Sequence, residues 1–150
     1  MPHIHEQYDF AVTAFIVHDG KVLLVNHPRY GKWLPPGGHV ELDEDPVEAL
    51  LREVAEETGL EVELLGKRPI VESPETKFLV APDYVDVHEA NLPHKHIGLT
   101  YFMVAKSDQY KLSSEHTGMR WFTEADIDDP QCNLTGAVRF CMRAAIAKAD

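Results

Sequence analysis

Three glutamates at helical spacing are the residues of this chain best suited to chemistry. Glu53, Glu56 and Glu57 stand at positions i, i+3 and i+4, so a helix that turns by roughly 100° per residue places them on one face. Like charges at this spacing destabilise a helix by about 0.2–0.5 kcal/mol per pair. A hard divalent cation reverses that sign, because Mg²⁺ and Mn²⁺ take oxygen ligands from carboxylates and often share substrate phosphates. The alternative is a solvated acidic face.

The chemistry that such a site favours is hydrolysis of a phosphoanhydride. A divalent ion held by these carboxylates binds a diphosphate, withdraws electron density from phosphorus and lowers the pKa of a bound water. Phosphoryl-type transfer depends mainly on positioning and charge neutralisation, so no covalent nucleophile is needed. The sequence contains no GxGxxG, P-loop, HExxH or CxxC motif.

The residues around the glutamates predict one amphipathic helix over 46–58. Asp45 is a suitable N-cap, Pro46 suits the first helical position, and Glu48 completes a capping box. Gly59 is a typical helix stop. A mostly apolar stripe lies about 120° from the acidic face, and it consists of Val47, Leu50, Leu51, Val54 and Thr58.

A proline- and glycine-rich turn, Pro35-Pro36-Gly37-Gly38, precedes this helix and brings the backbone close to its acidic face. The Asp19-Gly20 pair predicts a hairpin turn. The predicted strands cover residues 10–17, 21–26, 39–42, 60–71, 97–105 and 119–122. Residues 72–93 leave open one strand or two.

A capped helical turn is predicted at 123–126, and a last helix is predicted from an Asn133 cap to Lys148. Leu134, Val138, Cys141, Met142 and Ile146 repeat at helical spacing there. Strands and helices in this order predict an α/β domain with a mixed sheet between helices.

From Gly38 the chain reads Gly, five residues, Glu44, seven residues, and then REVAEETGL up to Leu60. This segment resembles the Nudix box at every specified position, and the segments 33–37 and 120–122 resemble the usual flanks of that family. The chain is thereby identified as similar to the MutT-like Nudix hydrolases. The resemblance implies one Nudix domain over residues 1–150, folded as an α/β/α sandwich.

The resemblance also implies site roles. Glu53, Glu56 and Glu57 are implied to be metal ligands, together with the Gly37 carbonyl, and the cofactor is implied to be Mg²⁺, with Mn²⁺ as the alternative. Arg52 is implied to orient the catalytic glutamates, with Glu44 as its partner. The other interpretation of Arg52 is a helix-surface ion pair worth about 0.3–0.5 kcal/mol.

The general base is less directly indicated. Glu115 lies on the predicted loop before the Arg120 strand, where related enzymes often place a further carboxylate, and we predict it as a catalytic residue. His116 is the alternative. Both side chains have a simpler interpretation as solvated loop residues.

Substrate contacts are predicted at two histidines and a tryptophan. His94 and His96 are two apart at a strand start and therefore share a face, where they could contact phosphate or metal, or merely pack. Trp33 could stack on a base, as could Phe78 and Tyr84, although buried aromatic residues usually belong to the core.

The expected reaction is cleavage of a nucleoside diphosphate linked to another moiety, with a (deoxy)nucleoside triphosphate as the leading substrate, giving nucleoside monophosphate and pyrophosphate. The alternatives are ADP-ribose, for which Pro74 is a faint indication, a nucleotide sugar and a dinucleoside polyphosphate. A catalytically silent nucleotide-binding module and an isomerase on the same scaffold are the other classes considered.

Composition agrees with a single enzyme domain. The 150 residues include 44% hydrophobic residues and carry a net charge of −11, which disfavours a nucleic-acid partner and leaves a small nucleotide as the expected one. Cys132 and Cys141 match no zinc spacing and are predicted to be free thiols on one helix. No signal peptide or membrane segment is visible, so a cytoplasmic protein is expected. A homodimer is considered as its assembly.

Overall fold

A mixed β-sheet with helices on both faces forms the protein. The computed structural model describes residues 7–27, 31–91, 94–111 and 118–150. Within this part of the chain the strands are β1 (Tyr8–His18), β2 (Lys21–His27), β3 (Lys32–Leu34), β4 (Gly37–His39), β5 (Val62–Leu64), β6 (Tyr84–Asn91), β7 (His94–Ala105) and β8 (Gly118–Phe122). The helices are α1 (Pro46–Thr58), α2 (Glu124–Ile127) and α3 (Gly136–Ala149), with a 3₁₀ turn at Pro130–Cys132.

The sheet is built around a central parallel pair. Strands run in the order β3-β2-β1-β7-β5, while β4 pairs with β1, β6 with β7 and β8 with β2. The long β1–β7 pairing is parallel over ten residue pairs, from Tyr8↔Lys95 to Val17↔Val104. The other pairings are antiparallel. The mixed sheet predicted from the sequence is confirmed.

Alternation along β1 separates two hydrophobic cores. Successive side chains of a strand point to opposite faces, so Val12, Ala14 and Ile16 pack in one core with helix α1. Phe15 and Val17 pack in the other core with helix α3. The sheet therefore has an α1 face and an α3 face, which is the α/β/α sandwich that the sequence predicts.

The local signals of the sequence describe the turn and the first helix correctly. Asp19 and Gly20 have φ of 48° and 71°, the left-handed pair that a tight hairpin turn requires. Asp45 caps α1 and forms a capping box with Glu48, and Gly59 ends it with φ 67°. Each of these features involves residues within about four positions of one another, where sequence patterns are most informative.

The strand predicted at 60–71 is wrong beyond its first residues, because only Val62–Leu64 form β5. This strand pairs with the end of β7, at Met103 to Ala105. The same edge of β7 is taken by β6 from His94 to Thr100. Competition for one strand edge therefore shortens β5, and the undecided region 72–93 contributes the single strand β6.

Other boundaries also differ from the predictions. The short strand expected at 39–42 is Gly37–His39, which pairs with Ala11 to Thr13 of β1. The last helix starts at Gly136 with Thr135 as its cap, whereas Asn133 ends the 3₁₀ turn in a left-handed conformation.

Two smaller predictions about the helices are wrong in part. Cys132 and Cys141 are free thiols, as predicted, but Cys132 lies in the 3₁₀ turn and Cys141 on α3. Leu51 was expected in the apolar stripe of α1 and is 44% exposed. It lies at the edge of that stripe, one residue or about 100° beyond the fully buried Leu50.

Candidate active site

The turn between β3 and β4 brings backbone against the acidic face of α1. The amide of Ala14 on β1 donates to the Pro36 carbonyl at 2.9 Å, which holds the turn on the sheet. A Cβ atom on Gly37 would overlap the Val12 carbonyl oxygen, and one on Gly38 would overlap the Glu53 carboxylate. The two glycines are therefore required by close approach on opposite sides of the turn.

Arg52 collects the carboxylates of this region around one guanidinium. It forms a forked pair with Glu44, in which Nε donates to Oε2 at 3.0 Å and Nη2 donates to Oε1 at 2.6 Å. Its Nη1 donates to Glu53 Oε1 at 3.0 Å and to Glu56 Oε2 at 3.3 Å. Nη2 also donates to the His39 carbonyl at 3.2 Å. The structure thus pairs Arg52 with Glu44 and places it in contact with two of the three box glutamates.

These contacts keep the Glu44–Arg52 pair ionised. The hydrogen bond from Arg52, followed by that from the Glu41 amide, lowers the pKa of Glu44 below its ordinary value. In the same way the bond to Glu44 raises the pKa of Arg52 further above its already high value. An ionised, forked pair fixes the guanidinium plane, and the guanidinium in turn restricts the rotamers of Glu53 and Glu56.

Glu57 is the least exposed of the three glutamates. It is 6% exposed, and its Oε2 accepts a hydrogen bond from the Gly37 amide at 3.3 Å. Gly37, predicted to offer its carbonyl to a metal, therefore lies beside Glu57 at the base of the acidic face. This contact joins the glycine turn to the last turn of α1.

The donor set suits a hard divalent cation. Glu53, Glu56 and Glu57 offer carboxylate oxygens that differ in exposure to solvent. The side chains of Glu53 and Glu56 are 15% and 60% exposed. In the described part of the chain these carboxylates do not converge into a closed cage within 4.8 Å. Mg²⁺ keeps several waters and uses one or two protein carboxylates together with substrate phosphates, so an open set of this kind fits it.

Two of the three predicted base-stacking residues, Trp33 and Tyr84, lie on the α3 face of the sheet. Trp33 packs edge-on against Phe122, with ring centroids 5.2 Å apart, and joins the core on the α3 face. Tyr84 contacts Phe140 of α3 at a centroid distance of 5.2 Å. Phe78 is 41% exposed in the irregular segment before β6. Stacking on a substrate base stays a prediction for all three.

Glu115 and His116, predicted as the general base and its alternative, lie outside the described residues. His94 and His96 share a face, as expected. They lie beside His39 and His88, which were not among the predicted site residues. His88 meets His96 through the antiparallel register of β6 and β7, which no local sequence pattern predicts.

The fold and the acidic face of α1 define a class of protein. A mixed sheet between helices carries a carboxylate set fit for a divalent cation, with an arginine that holds two of the carboxylates. This is the arrangement of a metal-assisted phosphoanhydride hydrolase.

Comparison with known proteins gives the family. The model of the NUDIX domain matches residues 7–139, and the chain belongs to this family, one of hydrolases that act on phosphorus-containing anhydrides. A crystal structure of a NUDIX-family hydrolase from Clostridium perfringens superposes with a TM-score of 0.84 at 27% identity, covering 98% of this chain and all of the other.

Two relatives illustrate the range of named activities. The CTP pyrophosphohydrolase of Escherichia coli is 34% identical over 109 residues, which are 68% of this chain and 81% of that protein. A Lactococcus lactis protein named "Probable DHNTP pyrophosphohydrolase" is 26% identical over 119 residues, 73% of this chain and 62% of that protein. The chain thus spans less than two thirds of the second relative. No helix in the described ranges is long and apolar enough to cross a membrane.

Proposed function

We propose that this protein is a divalent-metal-dependent nucleotide pyrophosphohydrolase that converts a (deoxy)nucleoside triphosphate to the monophosphate and pyrophosphate. The observation that carries the proposal is the acidic face of α1, where Arg52 holds Glu53 and Glu56 beside the Gly37-Gly38 turn. Adjacent like charges on a helix repel, and a bound divalent cation would turn this repulsion into attraction.

The residues of the site have different proposed roles. Glu53, Glu56 and Glu57 would hold Mg²⁺, with the Gly37 carbonyl as a further oxygen ligand. Arg52, anchored by its fork to Glu44, restricts two of these carboxylates to productive rotamers. When bound, Mg²⁺ supplies charge neutralisation at the phosphates and acidifies a water.

Proton removal from the attacking water is proposed for Glu115. A carboxylate on a loop beside a rigid scaffold is a suitable general base when it lies within hydrogen-bond reach of the water. The Glu115→Gln variant keeps the size of the side chain and removes its basicity. It should lower kcat more than KM, since a base acts on the chemical step and not on substrate binding.

The choice of a triphosphate as substrate is supported by the CTP pyrophosphohydrolase relative, whose alignment covers 81% of its length. A triphosphate contains the nucleoside diphosphate linked to a further group that the family resemblance implies. ADP-ribose, a nucleotide sugar and a dinucleoside polyphosphate contain the same unit, and they are therefore included in the test.

The test is an activity screen with Mg²⁺ over nucleoside triphosphates and these three alternatives, with pyrophosphate and monophosphate separated by ion chromatography. Glu56→Gln and Glu57→Gln should each lower kcat/KM by roughly a hundredfold or more, the cost of removing one group from a preorganised electrostatic site. Glu63→Gln, at an exposed glutamate of β5, is the matched control and should retain wild-type turnover.

Two results would contradict the proposal. Full activity of both box variants would remove the acidic face from the mechanism. Tight nucleotide binding without turnover on any substrate would instead identify a catalytically silent nucleotide-binding module.

A further inference from the structure

Four histidines converge at one end of the sheet, and we call them the histidine cluster: His39, His88, His94 and His96. His39 Nε2 lies 3.0 Å from His96 Nε2, and His96 Nδ1 lies 3.2 Å from His88 Nε2. One ring nitrogen each of His39, His94 and His96 lies within 4.8 Å of the others. These three histidines are the group that, within the described ranges, brings at least three potential metal ligands this close together.

The sheet register explains why these residues meet. His88 pairs directly with His96 across the β6–β7 hairpin, and Asp9 of β1 pairs with His96 from the other side. His39 of β4 pairs with Ala11, two residues along β1. Directly paired residues share a face, so separate segments of the chain contribute side chains to one patch.

The patch lies on the face of the sheet opposite the acidic helix. Gly38 faces Glu53 on the α1 side, so the neighbouring His39 side chain points to the α3 side. Residues on the histidine face further along β6 contact α3, since Tyr84 meets Phe140 there. The histidine cluster lies beyond the end of this helix contact and stays accessible, with His88 48% and His94 30% exposed.

Two carboxylates orient the histidine rings from outside. Asp86 Oδ1 lies 2.6 Å from His88 Nδ1, which leaves Nε2 of His88 to contact His96. Asp9 Oδ2 lies 2.8 Å from His94 Nε2. Histidines that bind metals commonly have such an outer carboxylate, because it sets the tautomer and the ring orientation.

We propose that the histidine cluster is a second metal site, which binds a borderline transition-metal ion such as Zn²⁺, Ni²⁺ or Cu²⁺ through His39, His94 and His96. Imidazole nitrogen suits these ions, whereas Mg²⁺ prefers oxygen. Tetrahedral zinc with nitrogens at about 2.0–2.1 Å requires ligand nitrogens roughly 3.3 Å apart. The 3.0 Å separation of the Nε2 atoms of His39 and His96 is close to that value, and a ring nitrogen of His94 lies within 4.8 Å of the ligand nitrogens of the other two.

This site differs from the acidic face in donor chemistry and in position, and it stands independently of the proposed function. The two sites share one residue, His39. The carbonyl of His39 accepts a hydrogen bond from Arg52, while its ring belongs to the histidine cluster. A metal bound to that ring would hold β4, the strand that begins with Gly37 and Gly38, in place.

The experiment is a calorimetric titration of the metal-free full chain with Zn²⁺ in excess Mg²⁺, which occupies oxygen-donor sites. One Zn²⁺ per chain should bind. His96→Ala and His39→Ala should each weaken binding by about a hundredfold or more, and Asp9→Asn by about 10- to 100-fold as the outer partner of His94. His18→Gln, at a histidine near the other end of β1, is the matched control and should bind like wild type.

Cu²⁺ bound by the wild type should show nitrogen hyperfine splitting in its electron paramagnetic resonance spectrum.

The proposal is overturned if no Zn²⁺ binds in excess Mg²⁺, which would leave a hydrogen-bonded histidine chain without metal. It is equally overturned if Zn²⁺ binding survives both histidine substitutions but is lost in Glu56→Gln, because the ion would then occupy the acidic face. His39 is exposed, so His39→Ala reports on binding even where His96→Ala disturbs folding. Thermal unfolding of each variant without metal separates the two effects.

Discussion

Gly38 is a residue whose identity depends on one contact. A Cβ atom at this position would overlap the carboxylate of Glu53, the far end of a flexible side chain. The clash can therefore be relieved by moving Glu53, which leaves the fold intact and displaces a proposed metal ligand. Function, and not stability, should be sensitive to this glycine.

We expect Gly38→Ala to fold normally and to lose about 10- to 100-fold in kcat/KM, the range for disturbing the support of a metal ligand. The measurement is steady-state kinetics at saturating Mg²⁺ together with thermal unfolding. Gly136→Ala is the matched control, because a Cβ there meets nothing within 4 Å. It should keep full activity and gain up to about 1 kcal/mol of stability. Wild-type kinetics in Gly38→Ala would contradict the role of the close approach.

At the scale of elements, α1 has to serve the core and the acidic site at once. Leu50 and Val54 are buried in the α1 core, and Thr58 Oγ donates to the Val54 carbonyl at 2.7 Å inside the last turn. The same helix carries Arg52 and its carboxylate partners on the open side. The apolar stripe is consequently narrow, and Leu51 falls outside it.

This arrangement predicts losses of folding stability of different size for two adjacent leucines. Leu50→Ala should lower the free energy of unfolding by about 2–5 kcal/mol, because it leaves a cavity in a fully buried position. Leu51→Ala, at a side chain that is 44% exposed, should lower it by less than about 1 kcal/mol. Urea denaturation of both variants is the measurement. Equal losses would show that Leu51 is buried after all.

At the scale of the whole molecule, two layers of helix cover a sheet whose centre is buried. Tyr101 lies in β7 at this centre and is 2% exposed. Burial, followed by the negative charges of Asp45 and Asp83, raises the pKa of its phenol above the ordinary value of 10.0. The folded protein therefore holds this proton at a pH where the unfolded chain releases it.

The sign of the effect on stability follows from linkage. The contribution of Tyr101 is fully present below about pH 10 and is lost as the pH rises above it, because the unfolded chain alone gains the ionised form. Tyr101→Phe should accordingly lose stability less steeply than the wild type above pH 10. Urea denaturation from pH 7 to 11 measures this slope, and the pH 7 difference provides the baseline. Parallel curves would mean that Tyr101 does not contribute to the pH dependence.

Homodimer formation stays a prediction, which sedimentation equilibrium can decide.

The sequence alone was sufficient for the features that depend on close neighbours. The Asp45 cap, the Gly59 stop and the Asp19-Gly20 turn each involve interactions within about four residues, and all three are found as predicted. The spacing of the box glutamates belongs to the same class, because a helix alone decides which of its residues share a face. The reaction class could therefore be inferred before any tertiary contact was known.

Only the tertiary structure decided the features that depend on which strands pair and in what register. β5 is short because β6 takes most of the edge of β7, and no local pattern records a competition between distant segments. The histidine cluster arises in the same way, since His39 is 57 residues from His96 in sequence and 3.0 Å from it in space. Neighbouring residues determine local chemistry, whereas a site shared by several strands forms only when the sheet has set their register.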